Sequence, residues 1–210
     1  GLATLRSCHI PPSCLMPVIT TPSDSVTQAV IQASSGDRSV WPRSVRWVHW
    51  LTVALVLAAV AAVLGQDLFD DKALHKLVMN AHKQAGALVL AVSVFRVFIR
   101  LGSSRPLDQQ TGWTHWASSA AHGLIYLILF ALPTLGWATV NARGGVVNLL
   151  GWALPTLVAR DRDLSDTLQE VHEYLGWMLI GLVAAHVLAA VWHHRVKKDR
   201  VLLAMLGRKA

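Results

Sequence analysis

Residues 171–198 read VHEYLGWMLIGLVAAHVLAAVWHHRVKK, an apolar stretch that contains His172, His186 and His193. The intervals of 14 and 7 residues return these side chains to nearly the same face of an α-helix, which has 3.6 residues per turn. Polar groups are costly to bury, and ionisable residues inside a membrane helix are candidates for function. The stretch therefore predicts a membrane helix with a functional column of imidazoles.

The composition of the whole chain also indicates a membrane protein. Of its 210 residues, 53% are hydrophobic and 15% are charged, which is more apolar than a soluble domain of this length. Four apolar runs approach or exceed the roughly 20 residues that span a bilayer, and none alternates like a barrel strand. We predict an all-α transmembrane four-helix bundle, with helices at about 45–64, 77–101, 116–140 and 171–194.

Charge at the helix ends predicts the orientation of this bundle. The helix ends on the side that holds both termini carry twelve Lys and Arg, whereas the opposite loops carry six, together with eight Asp and Glu. Since Lys and Arg favour the cytoplasmic side, both termini are expected in the cytoplasm. The net charge of +7 is then explained by topology and anionic lipid, and nucleic acid is not an expected partner.

Residues 1–40 differ from the rest of the chain in composition. They are rich in Pro, Ser and Thr, lack a long apolar run, and hold both cysteines, Cys8 and Cys14. The spacing of these cysteines matches neither a Cys-x-x-Cys-His haem attachment nor a four-ligand zinc site. We predict a disordered cytoplasmic extension over residues 1–40, with reduced thiols, followed by the membrane domain over residues 41–210.

The histidines lie at two matching depths on different helices. His82 and His172 fall toward the outer surface, and His49 and His186 fall nearer the cytoplasm. Two imidazoles from facing helices can bind haem b, one on each side of the iron. The 14 residues from His172 to His186 correspond to roughly 21 Å of helix, which leaves room for two haems.

Alternatives remain for these histidines. His122 has a depth similar to that of His49 and is its rival as a ligand, and any single His can be a hydrogen-bonded core residue. A zinc or di-iron site would need carboxylates or thiols grouped with the histidines, and only Glu173 lies in a helix near one. Gly86 and Gly176, each four residues after a proposed ligand, either leave space for a porphyrin or allow close helix packing.

Four segments occur in order along the chain: RWVHWLTVAL, HKQAGALVLAVSVFRVFIR, AHGLIYLILFALPTLGW and VHEYLGWMLIGLVAAHVLAAVWHH. Together they span roughly residues 41–209 and resemble the bacterial cytochrome b561 family, in particular its small di-haem members described as superoxide oxidases. The resemblance implies that His49 pairs with His186 and His82 with His172 as iron ligands. It also implies a respiratory electron-transport protein of the bacterial inner membrane.

The resemblance further implies an activity. In the superoxide oxidases, superoxide gives up its electron at the outer surface and ubiquinone is reduced, so we expect a superoxide:ubiquinone oxidoreductase with two haem b groups. The related hydrogenase cytochrome b subunits imply the alternative, a subunit that relays electrons between a dehydrogenase or hydrogenase partner and the quinone pool. A third hypothesis is a haem-storage or structural membrane protein. The expected partners are membrane lipid, quinone, superoxide and, in the alternative, a redox partner protein.

Two positions are candidates for the reacting ends of this pathway. Lys83, beside His82, and Lys76 could attract superoxide or could instead anchor the helix at the interface, and the excess of acids in the outer loops argues against long-range steering. His193, supported by His122, is expected to deliver protons in a quinone pocket, because His titrates near neutral pH.

Two arginines and two tryptophans are further candidates. Arg96 either pairs with a haem propionate or, like Arg100, extends to the headgroups. Trp137 and Trp177 lie inside their helices, and we expect both to pack against neighbouring helices rather than against a cofactor.

Overall fold

The structure is a computed structural model, and it describes residues 41–66, 71–102, 113–198 and 201–207. The extension predicted for residues 1–40 lies outside the described residues and stays a prediction. The long helices are α1 (Arg43–Gly65), α2 (Lys72–Gly102), α3 (Trp113–Ala142) and α4 (Arg162–Trp192). The shorter elements are β1 (Asn148–Leu149) and β2 (Trp152–Ala153), a π-helical turn (His193–Lys197) and α5 (Val201–Leu206).

All four long helices are long and apolar enough to cross a membrane. Their candidate spans contain 23, 31, 27 and 36 residues, where a bilayer needs about 20. Each of them exposes large apolar side chains, and the examples Leu57, Phe98, Leu127 and Leu188 are between 59% and 69% exposed. A soluble bundle exposes few such residues, whereas lipid solvates them. The predicted four-helix membrane bundle is confirmed.

An apolar layer lies at the centre of the bundle, where α1 packs along α2, α2 along α3, and α3 along α4. Its buried members are Val89, Ile128, Leu129 and Leu179. Leu179 is seven residues from both His172 and His186, so the layer lies about two turns, or roughly 10 Å, from each of them along α4. The apolar layer therefore separates two levels of polar side chains.

The fourth helix begins at Arg162, nine residues before the start that its apolar run predicts. The Asp161 side chain accepts a hydrogen bond from the N–H of Leu164 at 3.1 Å, which satisfies one of the free donors of the first turn. The first turns are polar and exposed, as at Asp163, Asp166 and Glu170. An apolar run predicts only the part of a helix that lies in lipid. The polar turns that continue the helix beyond the lipid are not part of this run.

The connection from α3 to α4 is held by Asn141, which is buried. Its amide N–H donates to the Gly145 carbonyl at 3.0 Å, and its side-chain oxygen accepts from the N–H of Leu157 at 2.9 Å. β1 and β2 then pair antiparallel, with Leu149 opposite Trp152. No strand was predicted here, because two-residue strands are too short for a period-two pattern.

We use two names for the opposite ends of the bundle. The hairpin side is the end that carries β1 and β2, and the terminus side is the end where α1 begins and α4 finishes. On the terminus side, the π-helical turn is followed by Lys198, which has a φ of 53°. The Trp50 ring N–H of α1 then donates to the Met205 carbonyl of α5 at 3.4 Å, so α5 lies beside the start of α1.

The two interior tryptophans differ in their surroundings. Trp137 is half-buried in α3, whereas Trp177 on α4 is 57% exposed. The prediction that Trp177 packs against neighbouring helices is therefore wrong. Position 177 is five residues after His172, which turns it about 140° around the helix from the interior face and toward lipid.

Candidate functional site

Two imidazoles meet in the interior on the hairpin side. The ring centroids of His82 on α2 and His172 on α4 are 6.1 Å apart, and the ring planes are at 82° to each other. Both side chains are half-buried. The fold thus brings together two histidines that are 90 residues apart in the sequence. We call them the hairpin-side pair.

Backbone carbonyls hold both rings of this pair. His82 Nδ1 is 2.9 Å from the Ala59 oxygen of α1, and His172 Nδ1 is 2.9 Å from the Leu132 oxygen of α3. Because a carbonyl oxygen only accepts, each neutral ring carries its proton on Nδ1 and keeps a free lone pair on Nε2. Metal-binding histidines commonly donate their other ring N–H in this way. All four long helices therefore contribute to the orientation of two potential Nε2 ligands.

The spacing of the hairpin-side pair suits a metal ion between the rings. Imidazoles on opposite sides of one ion have centroids about 6 Å apart, since each metal–nitrogen bond is about 2 Å. A methyl group added at Gly86 or at Gly176 would meet no other atom within 4 Å. Both glycines therefore adjoin open space, as positions beside a porphyrin would.

Gly136 on α3 has a different role. A methyl group there would lie 3.0 Å from Cε1 and 3.3 Å from Nδ1 of His172, which is closer than ordinary van der Waals contact. The missing side chain thus lets α3 approach the imidazole. The sequence analysis missed Gly136, because no local pattern reports a contact between residues 36 positions apart on two helices.

A second group of polar side chains lies toward the terminus side. The His122 and His186 ring centroids are 5.1 Å apart, with ring planes at 85°. His49 is close enough to both to interact with them electrostatically, and Arg96 Nη2 donates to His49 Nδ1 at 2.9 Å. We call His49, Arg96, His122 and His186 the terminus-side cluster. It contains three imidazoles, one more than a single haem can use as axial ligands.

The hydrogen bonds of this cluster distinguish His122 from His49. His122 Nδ1 is 2.6 Å from the Ser118 carbonyl oxygen, so its proton is on Nδ1 and its Nε2 has a free lone pair. His49 Nδ1 accepts from Arg96, so the neutral ring carries its proton on Nε2. His49 must therefore change tautomer and release Arg96 before Nε2 can bind iron, whereas His122 needs neither change. Both remain available as partners for His186.

Two buried polar atoms in the described part of the chain have no hydrogen-bond partner: Ser93 Oγ and Trp137 Nε1. A buried polar group without a partner costs about 1–3 kcal/mol, so these atoms point to a bound group. The Arg96 guanidinium lies 5.1 Å from the Tyr126 ring centroid, and Ser93 is one turn from Arg96 on α2. The propionate carboxylates of haem b accept hydrogen bonds and carry negative charge, so these donors fit that group.

The donor set also distinguishes haem from a bare metal ion. Among the residues that the structure describes, no three side chains of His, Cys, Asp or Glu form a group that could hold a metal ion. A haem iron takes four ligands from its porphyrin, so two imidazoles can complete its coordination without a third protein ligand. The imidazole pairs therefore match haem iron.

The remaining candidates lie outside the two clusters. Lys83 follows His82, but its side chain is exposed, as is that of Lys76. His193 is half-buried and is the first residue of the π-helical turn. The Arg100 guanidinium lies 5.0 Å from the Trp41 ring centroid, which agrees with a position at the membrane interface.

One protein family and several known proteins are similar to this chain in sequence. The prokaryotic cytochrome b561 family matches residues 40–208. Cytochrome b561 homolog 1 of Escherichia coli (strain K12) is 30% identical over 168 residues, which cover 78% of this chain and 94% of the relative. Cytochrome b561 homolog 2 of the same strain is 30% identical over 167 residues, or 77% of this chain and 88% of the relative. The probable superoxide oxidase CybB of Yersinia pestis is 29% identical over 164 residues, or 77% and 93%.

These findings agree with the fold and with the imidazole pairs. Members of the family transfer electrons in membranes and bind b-type haem. The family match covers all four membrane helices and every histidine of both clusters. This chain is therefore a multi-pass bacterial membrane protein that belongs to the prokaryotic cytochrome b561 family.

Proposed function

We propose that this protein is a di-haem superoxide:ubiquinone oxidoreductase, with superoxide oxidised on the hairpin side and ubiquinone reduced on the terminus side. The observation that carries the proposal is the hairpin-side pair, in which carbonyls hold Nδ1 of both His82 and His172. A second imidazole cluster lies beyond the apolar layer. The name of the Yersinia pestis relative, a probable superoxide oxidase, supports the choice of substrate.

Four histidines are proposed as the iron ligands. His82 and His172 hold one haem, and His49 and His186 hold the other, with His122 as the alternative to His49. When bound, a bis-imidazole haem supplies one-electron redox chemistry without an open coordination position. The chain keeps the His82 and His172 tautomers ready for ligation, and its apolar layer excludes water between the two levels.

Propionate binding is proposed for two of the donors described above. Arg96 can turn from His49 Nδ1 to a carboxylate and bind it through two N–H groups. This same movement frees His49 Nδ1 to take up the proton that iron ligation through Nε2 requires. Trp137 follows Gly136, which contacts His172, so its unpartnered N–H is proposed to donate to a propionate of the hairpin-side haem.

The two substrates are proposed to react at opposite ends of the bundle. Two superoxide anions each lose one electron and leave as O2, and Lys83 attracts the anions near His82. Ubiquinone takes up the two electrons and two protons, and His193 with His122 delivers the protons. The distribution of Lys and Arg supports a cytoplasmic terminus side and a periplasmic hairpin side.

The test is reduction of the purified protein by an enzymatically generated superoxide burst. We expect rapid haem reduction without a partner protein and, when ubiquinone is added, one ubiquinol for every two superoxide anions consumed. Superoxide dismutase should abolish both signals. Haem reduction that occurs only after a dehydrogenase or hydrogenase partner is added would contradict the proposal and would favour the relay subunit.

A further inference from the structure

The hairpin between α3 and α4 has an unusual residue at its tip. Leu150 and Gly151, the two residues between the strands, have φ values of 51° and 93°. A two-residue turn with both φ values positive is of type I′, for which Asn, Asp and Gly are strongly preferred. A branched apolar side chain crowds the left-handed backbone. The choice of Leu at position 150 therefore works against the turn, which indicates that its side chain has a separate use.

Gln84 of α2 fixes the position of this hairpin. Its side-chain N–H donates to the Asn148 carbonyl oxygen, and its side-chain oxygen accepts from the Leu150 N–H at 3.2 Å. The amide thus pairs with β1 much as a neighbouring strand would. Since Asn141 also holds the base of the loop, the tip has a defined place beside α2.

The level of Gln84 gives the depth of the tip. The run of α2 without charged side chains begins at Gln84 itself, directly after Lys83, and continues to Phe95, so the hairpin lies where this run starts. Leu150 is 74% exposed and Trp152 is 81% exposed. Tryptophan is enriched at the boundary between lipid headgroups and acyl chains, whereas an exposed apolar tip in water favours aggregation.

We propose that the hairpin is a lipid anchor, and that Leu150 and Trp152 insert into the headgroup boundary of the leaflet on the hairpin side. Arg143 and Arg160, both exposed at the base of the loop, match the negative charge of phospholipid phosphates. Once inserted, the apolar side chain of Leu150 contacts lipid acyl chains instead of water, which is favourable. The anchor is independent of the haem ligands and of the substrates proposed above.

The depth of the tip can be measured with a nitroxide label at Leu150→Cys, in a Cys8→Ser, Cys14→Ser background, in vesicles of phosphatidylethanolamine and phosphatidylglycerol. Thr156→Cys, exposed in the same loop, is the matched control. Relative to the control, we expect position 150 to be several-fold more accessible to O2, which dissolves in lipid, and several-fold less accessible to a water-soluble nickel chelate. High nickel accessibility would place the tip in water and overturn the proposal. Low accessibility to both would show that protein covers it and would overturn the proposal as well.

The role of Gln84 is tested in the same vesicles. Gln84→Ala removes both hydrogen bonds to the hairpin but suits a helix. We expect the label at position 150 to become more mobile and its ratio of O2 to nickel accessibility to fall toward that of position 156. Gln84→Glu keeps the acceptor for the Leu150 N–H and should give an intermediate shift. An unchanged ratio in Gln84→Ala would show that this side chain does not position the anchor.

Discussion

The hairpin-side pair and the terminus-side cluster are two solutions to the placement of imidazoles in one bundle. On the hairpin side, carbonyls of α1 and α3 hold both rings, so the two proposed ligands are oriented before anything binds. On the terminus side, three imidazoles share the space with Arg96, which occupies Nδ1 of His49. A preorganised site binds its ligand with a smaller cost in free energy, because fewer side chains must be ordered on binding. We therefore expect the hairpin side to take up haem first and to hold it more firmly.

The largest effect is expected when the hairpin-side pair loses one of its two histidines. His172→Ala should lower the haem content from about two to about one per chain, because a bis-imidazole iron loses one of its two protein ligands. Haem content is measured by the pyridine haemochrome assay against protein concentration. His75→Ala, an exposed position on α2, should keep both haems. Two low-spin haems in His172→Ala would break the assignment of the pair.

The choice between His49 and His122 comes next. We expect His49→Ala to abolish the low-spin electron paramagnetic resonance signal of the terminus-side haem. His122→Ala should keep this signal and slow ubiquinone reduction by on the order of tenfold or more, as expected for loss of a proton donor. The opposite pattern would make His122 the ligand, in agreement with its Nδ1 hydrogen bond to Ser118.

Substitution of Arg96 tests whether a charge at the terminus-side cluster affects only the haem expected there and not the haem at the hairpin-side pair. Arg96→Gln removes a positive charge beside His49, so the reduced form of the terminus-side haem loses stabilisation and its midpoint potential should fall. A tenfold change in the reduction equilibrium corresponds to about 60 mV. Potentiometric titration follows both haems, and Arg43→Gln, an exposed change at the start of α1, serves as the control. An equal shift of both haems would contradict this expectation.

A pair of glycines on α3 sharpens the packing around His172. Gly136→Ala places a methyl group 3.0 Å from the imidazole and should destabilise the protein by about 1–3 kcal/mol. Gly123→Ala meets no atom within 4 Å and should be neutral or stabilising, because Ala favours a helix. Thermal unfolding in detergent and the haem absorption bands give the comparison. Equal behaviour of the two variants would show that Gly136 does not confine the ring.

The smallest effect is expected at Lys83. Lys83→Gln should lower the rate constant for superoxide by about twofold to fivefold and should flatten its dependence on ionic strength, since one exposed charge is lost. Lys72→Gln, an exposed change at the start of the same helix, should alter the rate less. If both variants match the unsubstituted protein at low salt, Lys83 serves only as an interfacial anchor.

The helices and the levels of the histidines follow from local patterns. Lipid allows few backbone conformations, so an apolar run of sufficient length predicts a helix, and the helix repeat then sets the level of each imidazole. The contacts between helices have no such local signal. Three such contacts join distant parts of the sequence: the hydrogen bond from Gln84 to Asn148, the close approach of Gly136 to His172, and the hydrogen bond from Arg96 to His49. Their partners depend on how the helices pack, which a single sequence does not encode in any short window.

The apolar layer around Leu179 has a consequence for protons. Its buried members, Val89, Ile128, Leu129 and Leu179, contain no group that can bind or release a proton, whereas an electron can tunnel across such a layer. Protons for a quinone reduced at the proposed terminus-side site are then expected to enter from that side. With the proposed orientation, electrons move inward while protons are drawn from the cytoplasm, so each turnover separates charge and adds to the membrane potential. An insulating layer only a few side chains thick would thus couple the removal of superoxide to energy storage.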